Sequence, residues 1–280
     1  MVEVSGIVLS ILAAAFFGTY LVPLKRIKNL DNYHYHFFLG ISALVLGIIA
    51  PLAMNVQLEL SLIGMIPGFM WAAANFLVAN ALRYVGLSKV PIAQGVVVLV
   101  SFLWGVLLLQ ETFTNIPLAL LGIMSIVSGL PLLATAHDKT KDLMKGVVLL
   151  VLGGTIWGSM FVAPVFFKMK MESVIFPMSA AIFLFGLALF LVRRKNPQKQ
   201  LVQRSISSGF IWATGNVLSV ISMGLIGVAL AGPLAQLAIL FVLLWGLLYF
   251  KEVKGKTKIA KAILGSSILV LGAVFLAVSK

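Results

Sequence analysis

The sequence predicts an all-α membrane protein of ten transmembrane helices, arranged as two inverted five-helix repeats. Three observations predict it: the composition, the sidedness of positive charge and an internal echo. Of the 280 residues, 61% are hydrophobic and 10% are charged, and the mean hydropathy is +1.11. A soluble domain carries about 45–50% apolar and about 25% charged residues. No core of a chain this long could hide so much apolar surface, so lipid must cover the excess. A spanning helix needs about 20 apolar residues. Ten spans with short loops therefore use the whole length and leave no room for a soluble domain.

The spans follow from apolar runs between charged or turn-forming breaks. Span 1, 4–24, opens on MVEVSGIVLSILAAAFFG, which lacks a basic leader and a cleavage site and is read as helix, not a removable signal. Span 2, 34–54, follows the polar stretch KRIKNLDNYHYH. Span 3, 62–82, lies between Glu59 and Arg83. Span 4, 91–109, starts at Pro91 and stops at Gln110-Glu111. Span 5, 114–135, ends before HDKTKD. Spans 6 and 7, 145–167 and 173–192, are separated by Lys168, Lys170 and Glu172. Span 8, 206–225, follows Arg204. Span 9, 231–250, runs to Lys251, and span 10, 259–279, follows a run of lysines. Gly and Pro inside several of these are tolerated better in lipid than in water.

Eighteen of the 21 Lys and Arg residues fall in loops after odd-numbered spans; the others are Lys168, Lys170 and Lys280. Cytoplasmic loops carry the excess of positive charge, which places both termini outside, in a plasma membrane. The net charge of +13 is thereby read as an orientation signal and not as a nucleic-acid surface. Loop charges such as Lys139, Lys141 and Arg193 are expected to be solvated. The absence of cysteine excludes disulfides and Cys-based metal sites.

The echo divides the chain into residues 1–137 and 138–280. FFGTYLVPLKR, 16–26, returns as IWGSMFVAPVFFK, 156–168. Gly68, Trp71 and Asn75 return as Gly209, Trp212 and Asn216, Gly86 as Gly227, and Trp104-Gly105 and Glu111 as Trp245-Gly246 and Glu252. Each half has five spans, an odd number, so the second copy enters the membrane from the opposite side. That explains why the first phrase ends in Lys25, Arg26 and Lys28, on the side that wants positive charge, while its copy ends in little.

On AAAFFGTYLVPLKRIK, 13–28, and GFMWAAANFLVANALRYVGLS, 68–88, the chain resembles the drug/metabolite transporter superfamily (the EamA-like fold), and within it the rhamnose-transporter and glucose/ribose-porter branch. Trp71, Asn75, Arg83, Gly86 and Ser88 sit where that branch has its Gly-x-x-Trp segment, amide and polar turn. The resemblance implies uptake of a monosaccharide by alternating access, often with a proton, by a monomer or homodimer. It also implies that the first four spans of each half line the cavity. An exporter of amino acids or other small metabolites on the same scaffold is the alternative.

Sugars are held by aromatic faces and by amides or hydroxyls. Trp71 with Asn75 and Trp212 with Asn216 share helix faces at i,i+4, and the two pairs are expected to meet near the pseudo-two-fold axis. Gln94, Gln236, Tyr20, Asn80 and Ser159 are further substrate-binding candidates. For the asparagines the competing reading is an interhelical bond that only holds the bundle, about 0.6–2 kcal/mol; for the tryptophans it is packing. Trp104 and Trp245 read as interfacial aromatics. Pro23 and Pro164 can kink their spans and are candidate gating bends, or plain helix ends.

No ionisable residue falls in the middle third of any span. The embedded Glu of small multidrug-resistance proteins is replaced by Ala15, which argues against cationic drugs. Proton coupling must then use Glu111, Glu252, Glu172 or a His near a membrane face, or be absent. His34 and His36 are expected to be solvated at the start of span 2, and Glu111 and Glu252 to end their spans either solvated or in a salt bridge with a nearby Lys. Without a metal cluster or a nucleophile beside a base, no metal, cofactor or enzymatic activity is expected.

Overall fold

In the computed structural model, residues 2–25, 27, 30–110, 114–135, 142–193 and 195–279 are described. Arg26, Lys28, Glu111, Lys139, Lys141, Arg194 and Lys280 lie outside them. Thirteen α-helices run in order: α1 (Val2–Thr19), α2 (Val22–Lys25), α3 (Asn32–Ala53), α4 (Leu62–Ala81), α5 (Pro91–Leu107), α6 (Ile116–Thr135), α7 (Leu143–Ser159), α8 (Val162–Phe166), α9 (Ile175–Arg193), α10 (Lys199–Ile226), α11 (Val228–Ala235), α12 (Ala238–Leu244) and α13 (Lys256–Val278). Among the described residues nine segments are long and apolar enough to cross a membrane. They match predicted spans 1 to 8 and span 10.

Three departures are informative. Span 9 is not one helix. It divides into α11, α12 and a π-turn at Trp245–Tyr249, with Leu237 and Ile239 donating to carbonyls only three residues back. Hydropathy sees one apolar run there, but the backbone ladder changes pitch twice. Span 8 starts earlier than expected, because α10 continues back to Lys199 through polar residues whose Ser205 and Ser208 are buried. Spans 1 and 6 are each interrupted, at Tyr20-Leu21 and Met160-Phe161. Pro23 and Pro164 lie just beyond those breaks. Each lacks the N–H that would bond the carbonyl four residues back, and its ring crowds that carbonyl.

Local signals set other boundaries. Asp31 caps α3 by accepting from the Tyr33 amide at 3.1 Å, and Ser61 caps α4 by accepting from the Gly64 amide at 3.3 Å, as short polar side chains do at helix starts. Gly227 alone joins α10 to α11, at φ 78° and ψ 156°, a backbone region that L-residues avoid.

The helices pack across the two halves. α1 lies on α10 and α4 on α7. α3 lies on α10 and α4 on α9. α1 contacts α12, as α5 contacts α7. Two further pairs, α3 with α9 and α6 with α13, join like to like. Exchanging the halves maps each contact onto another in the set. Side chains repeat the pattern. A Cβ on Gly18 would meet Phe241 and Ala238, and a Cβ on Gly158 would meet Val100 and Val97.

The ends after odd-numbered spans gather at one face. Lys25 bonds Glu252 at 2.8 Å, Arg193 bonds Asp31 at 2.8 Å, and Arg204 donates to the Pro23 carbonyl at 3.4 Å. Arg193 is therefore paired rather than simply solvated, and its guanidinium also lies 5.7 Å from the Tyr33 ring centre. At the opposite face the Asn115 amide donates to the Ser279 carbonyl.

Candidate functional site

A cavity of about 350 Å³ lies between the halves. That is the size range of sites for small molecules. Its floor is the Trp71–Trp212 pair, one ring from each half, with centroids 3.9 Å apart and planes inclined by 36°. Both tryptophans are buried. Trp71 comes from α4 and Trp212 from α10, and Trp157 Nε1 donates to the Trp71 carbonyl at 3.3 Å. From the floor the cavity extends to Leu109, Val165 and Met223, at the face where both termini lie.

Three amides line the cavity. Gln94 comes from α5, Asn216 from α10, and Gln236 from the break between α11 and α12. The Gln94 Oε1 atom is buried with no hydrogen-bond partner among the described residues. A buried amide oxygen without a partner is costly. Asn216 and Gln236 likewise make no side-chain hydrogen bond among the described residues. Ser219 also lines the cavity.

Asn75 lies outside the lining and is fully buried. The Tyr20 hydroxyl donates to its Oδ1 at 2.8 Å, and its Nδ2 donates to the Tyr35 hydroxyl at 3.3 Å and to His36 Nε2 at 3.2 Å. His36 Nδ1 donates to the Asn32 carbonyl at 2.8 Å. Since Asn Nδ2 can only donate, Nε2 must be the bare nitrogen. Of the asparagine pair only Asn216 reaches the cavity. The tryptophans meet near the centre as expected, but the asparagines do not.

Tyr20 both lines the cavity and joins this network. Asn80 donates to the Phe76 carbonyl at 2.8 Å, a bond within its own helix, and lies outside the lining. Ser159 accepts from Trp104 Nε1 at 2.7 Å, and Thr19 accepts from Trp245 Nε1 at 3.0 Å. These two indoles, expected as interfacial aromatics, tie the broken spans 1 and 6 to the fourth span of the opposite half. The offset of the echo carried that signal, since Trp104 and Ser159 recur together as Trp245 and Thr19.

His34 and His36 are not solvated, as expected from sequence, but 2% and 1% exposed. Groups brought from elsewhere help satisfy them: the Asn75 amide for His36 and the Lys195 carbonyl for His34. His34 meets the Lys195 carbonyl at 2.7 Å and Asp31 at 3.2 Å.

At the charged face Leu21, Leu24 and Leu87 are buried and lie outside the cavity lining, and Glu252 joins this face. Its carboxylate accepts from the Leu87 amide at 3.1 Å, the Ser88 amide at 2.9 Å and the Ser88 hydroxyl at 2.7 Å, besides pairing with Lys25. A Cβ on Gly86 would strike this carboxylate. Burial works to raise the Glu252 carboxyl, but the Lys25 charge and the hydrogen bonds from Lys25 and Ser88 outweigh it and hold it below the usual range. Among the described residues no cluster of three or more His, Cys, Asp or Glu could hold a metal.

The family model described as "Sugar transport protein" matches residues 6–279. The chain belongs to the sugar transport protein family. Within that family it is 27% identical over 288 residues to a glucose uptake protein, GlcU, of Bacillus subtilis, covering 98% of both chains. It is 30% identical over 227 residues to a putative sugar uptake protein of Listeria innocua, covering 78% of this chain and 79% of that one. A probable glucose uptake protein of Bacillus cereus is 27% identical, covering 98% and 99%. A crystal structure aligns with a TM-score of 0.66 over 97% of each chain at 14% identity, which speaks for the fold.

Proposed function

We propose that the protein is a secondary transporter that carries a monosaccharide across the plasma membrane by alternating access between two inverted repeats. The observation that carries this reading is the cavity. An aromatic floor faces three amides without partners, the combination that a ring of hydroxyls on an apolar face requires. The reciprocal packing of the halves supports the inverted repeat, a common ground plan of such transporters. The gathering of Lys and Arg at one face supports the orientation with both termini outside. In that orientation the cavity extends toward the outer face, and the Glu252–Lys25–Ser88 cluster closes the inner one. Pro23 and Pro164 mark the bends at which spans 1 and 6 tilt as the access side changes.

Relatives named for glucose uptake make glucose the first solute to test. Purified protein in liposomes should take up labelled glucose, or a related sugar such as rhamnose or ribose, saturably, with unlabelled sugar competing. Saturable flux of amino acids without any sugar flux would overturn the sugar reading and favour export of small metabolites on this scaffold.

A further inference from the structure

The network behind Tyr20 has the parts of a proton-operated switch. We propose that His36 is a positioning residue that couples protonation to the solute cavity, acting through the Asn75 amide on the Tyr20 hydroxyl. The coupling rests on the transporter reading above.

The argument is one of hydrogen-bond polarity. In the arrangement observed, His36 Nδ1–H is committed to the Asn32 carbonyl at 2.8 Å, and bare Nε2 accepts from Asn75 Nδ2 at 3.2 Å. Asn75 Oδ1 is therefore turned to Tyr20, whose hydroxyl hydrogen it takes at 2.8 Å. The Tyr20 oxygen then offers the cavity only a lone pair. A proton arriving at Nε2 makes that nitrogen a donor. Asn75 must turn its amide over, so that Oδ1 faces His36 and Nδ2 faces Tyr20. Tyr20 must now accept, and its own hydrogen is released to the cavity side. Tyr35 stays satisfied by turning its hydroxyl from Ser208, 3.3 Å away, to Asn75 Oδ1. One proton is taken up, it stays on His36, and every buried polar atom of the set keeps a partner. Of Tyr20, Tyr35, His36, Asn75 and Ser208, Tyr20 alone lines the cavity, so the message has one exit.

The surroundings leave His36 free of competing charge. Tyr35 lies beside it with ring centroids 4.7 Å apart, α4 presents Phe76 at 5.4 Å, and α9 presents Phe185 at 6.1 Å. α9 also brings Gly186 against its carbonyl. From α10, Ser208 meets the neighbouring Tyr35 hydroxyl at 3.3 Å. Of the charged groups at this end, Asp31, His34 and Arg193 pair among themselves, Lys25 pairs with Glu252, and Arg83 donates to the Leu30 carbonyl. A path for the proton is marked by Asn32, one turn closer to that end. Both polar atoms of its side chain are buried without a partner among the described residues, a setting that holds internal water.

A phenol donates more strongly than it accepts. The protonated state therefore gives a hydroxyl-bearing solute one more directed donor and should bind it more tightly, and by linkage the bound solute should hold the proton.

The test has two readouts. The first is intrinsic tryptophan fluorescence of the empty protein, since Tyr20 lies 6.3 Å from Trp71. The wild type should show a reversible transition between about pH 4 and 8, and His36→Gln, which keeps an amide for Asn75, should lose it. The second is the Kd for D-glucose, which should fall about tenfold from the alkaline to the acid side in the wild type and less than about twofold in His36→Gln. Tyr20→Phe should lose the pH dependence of Kd, and it serves if His36→Gln does not fold. A flat wild-type titration, a transition that survives in His36→Gln, or a Kd in Tyr20→Phe that still follows pH would overturn the switch. An intact transition with no glucose, rhamnose or ribose bound at any pH would overturn the sugar reading and leave the switch standing.

Discussion

Asn75 and Asn216 hold matching places in the two halves, four residues after matching tryptophans, and share almost nothing else. Asn75 is enclosed by Tyr20, Tyr35 and His36, while Asn216 faces the cavity with its amide unengaged. The cause lies on the neighbouring spans. A Cβ on Gly68 would meet Met178 and Ala181, and one on Gly209 would meet Leu39 and Ser42. In that register Val174 and Ile175 stand where Tyr35 and His36 do. Met160 stands where Tyr20 does. The second half has apolar groups at each place where the first has a partner for its amide. The two stretches match in packing and differ in chemistry: one amide opens on the cavity, the other is enclosed.

The largest expected effect separates the two amides. Asn216→Ala should fold normally and lose about tenfold or more in transport, the value of one or two solute hydrogen bonds. Asn75→Ala should instead lose about 1–3 kcal/mol of stability, because Tyr20 and His36 keep buried groups without partners. Thermal unfolding and liposome uptake on both variants check this. Equal transport loss at equal stability would erase the contrast.

Glu252 comes next. Glu252→Ala strands the Leu87 and Ser88 amides and should cost about 1.5–3 kcal/mol, seen as a lower melting temperature. Because the Glu252 carboxyl is held below its ordinary value, its contribution is present above the unfolded value of about 4.3 and disappears as pH falls through the lower folded value. The gap between wild type and Glu252→Gln, measured by unfolding, should therefore close on acidification.

The indoles give a test of likeness. Trp104→Phe and Trp245→Phe each remove one bond to a span-1 or span-6 hydroxyl and should cost about 0.5–1.5 kcal/mol apiece. Clearly unequal losses would mark a second asymmetry between the halves. The smallest effect is expected at Gly224, where an added Cβ meets nothing within 4 Å. Gly224→Ala should change stability by no more than about 0.5–1 kcal/mol, in the stabilising direction, whereas Gly86→Ala must displace the Glu252 carboxylate and should be clearly destabilising.

The spans and the aromatic floor were legible because they depend on patterns local to the chain. Apolar runs mark helices, and Trp71 and Trp212 repeat at a fixed spacing. Burial of His34 and His36 was not legible. Their partners, the Lys195 carbonyl and Asn75, come from remote segments, and polar residues at a helix start read as solvated until those segments arrive. The different fates of Asn75 and Asn216 were hidden for the same reason, since the deciding residues lie on spans 1, 2, 6 and 7. The break in span 9 was hidden because Gln236 and Leu237 interrupt the hydrogen-bond ladder without interrupting hydropathy enough to show. Glu252 was half legible: a nearby lysine was expected, but not the amides of Leu87 and Ser88.

Gly227 carries a mechanical consequence. A single residue between α10 and α11 leaves no slack at that end of the molecule. α10 carries Trp212 and Asn216, and α11 runs directly into the break at Gln236. A sideways movement of either helix end must be taken up by rotation about the Gly227 backbone or pass along α11 to that break. The floor of the cavity and one of its amides are thus on a common linkage, with Gly227 as its pin. Lengthening that joint by a few flexible residues would uncouple the two without touching any group that lines the cavity.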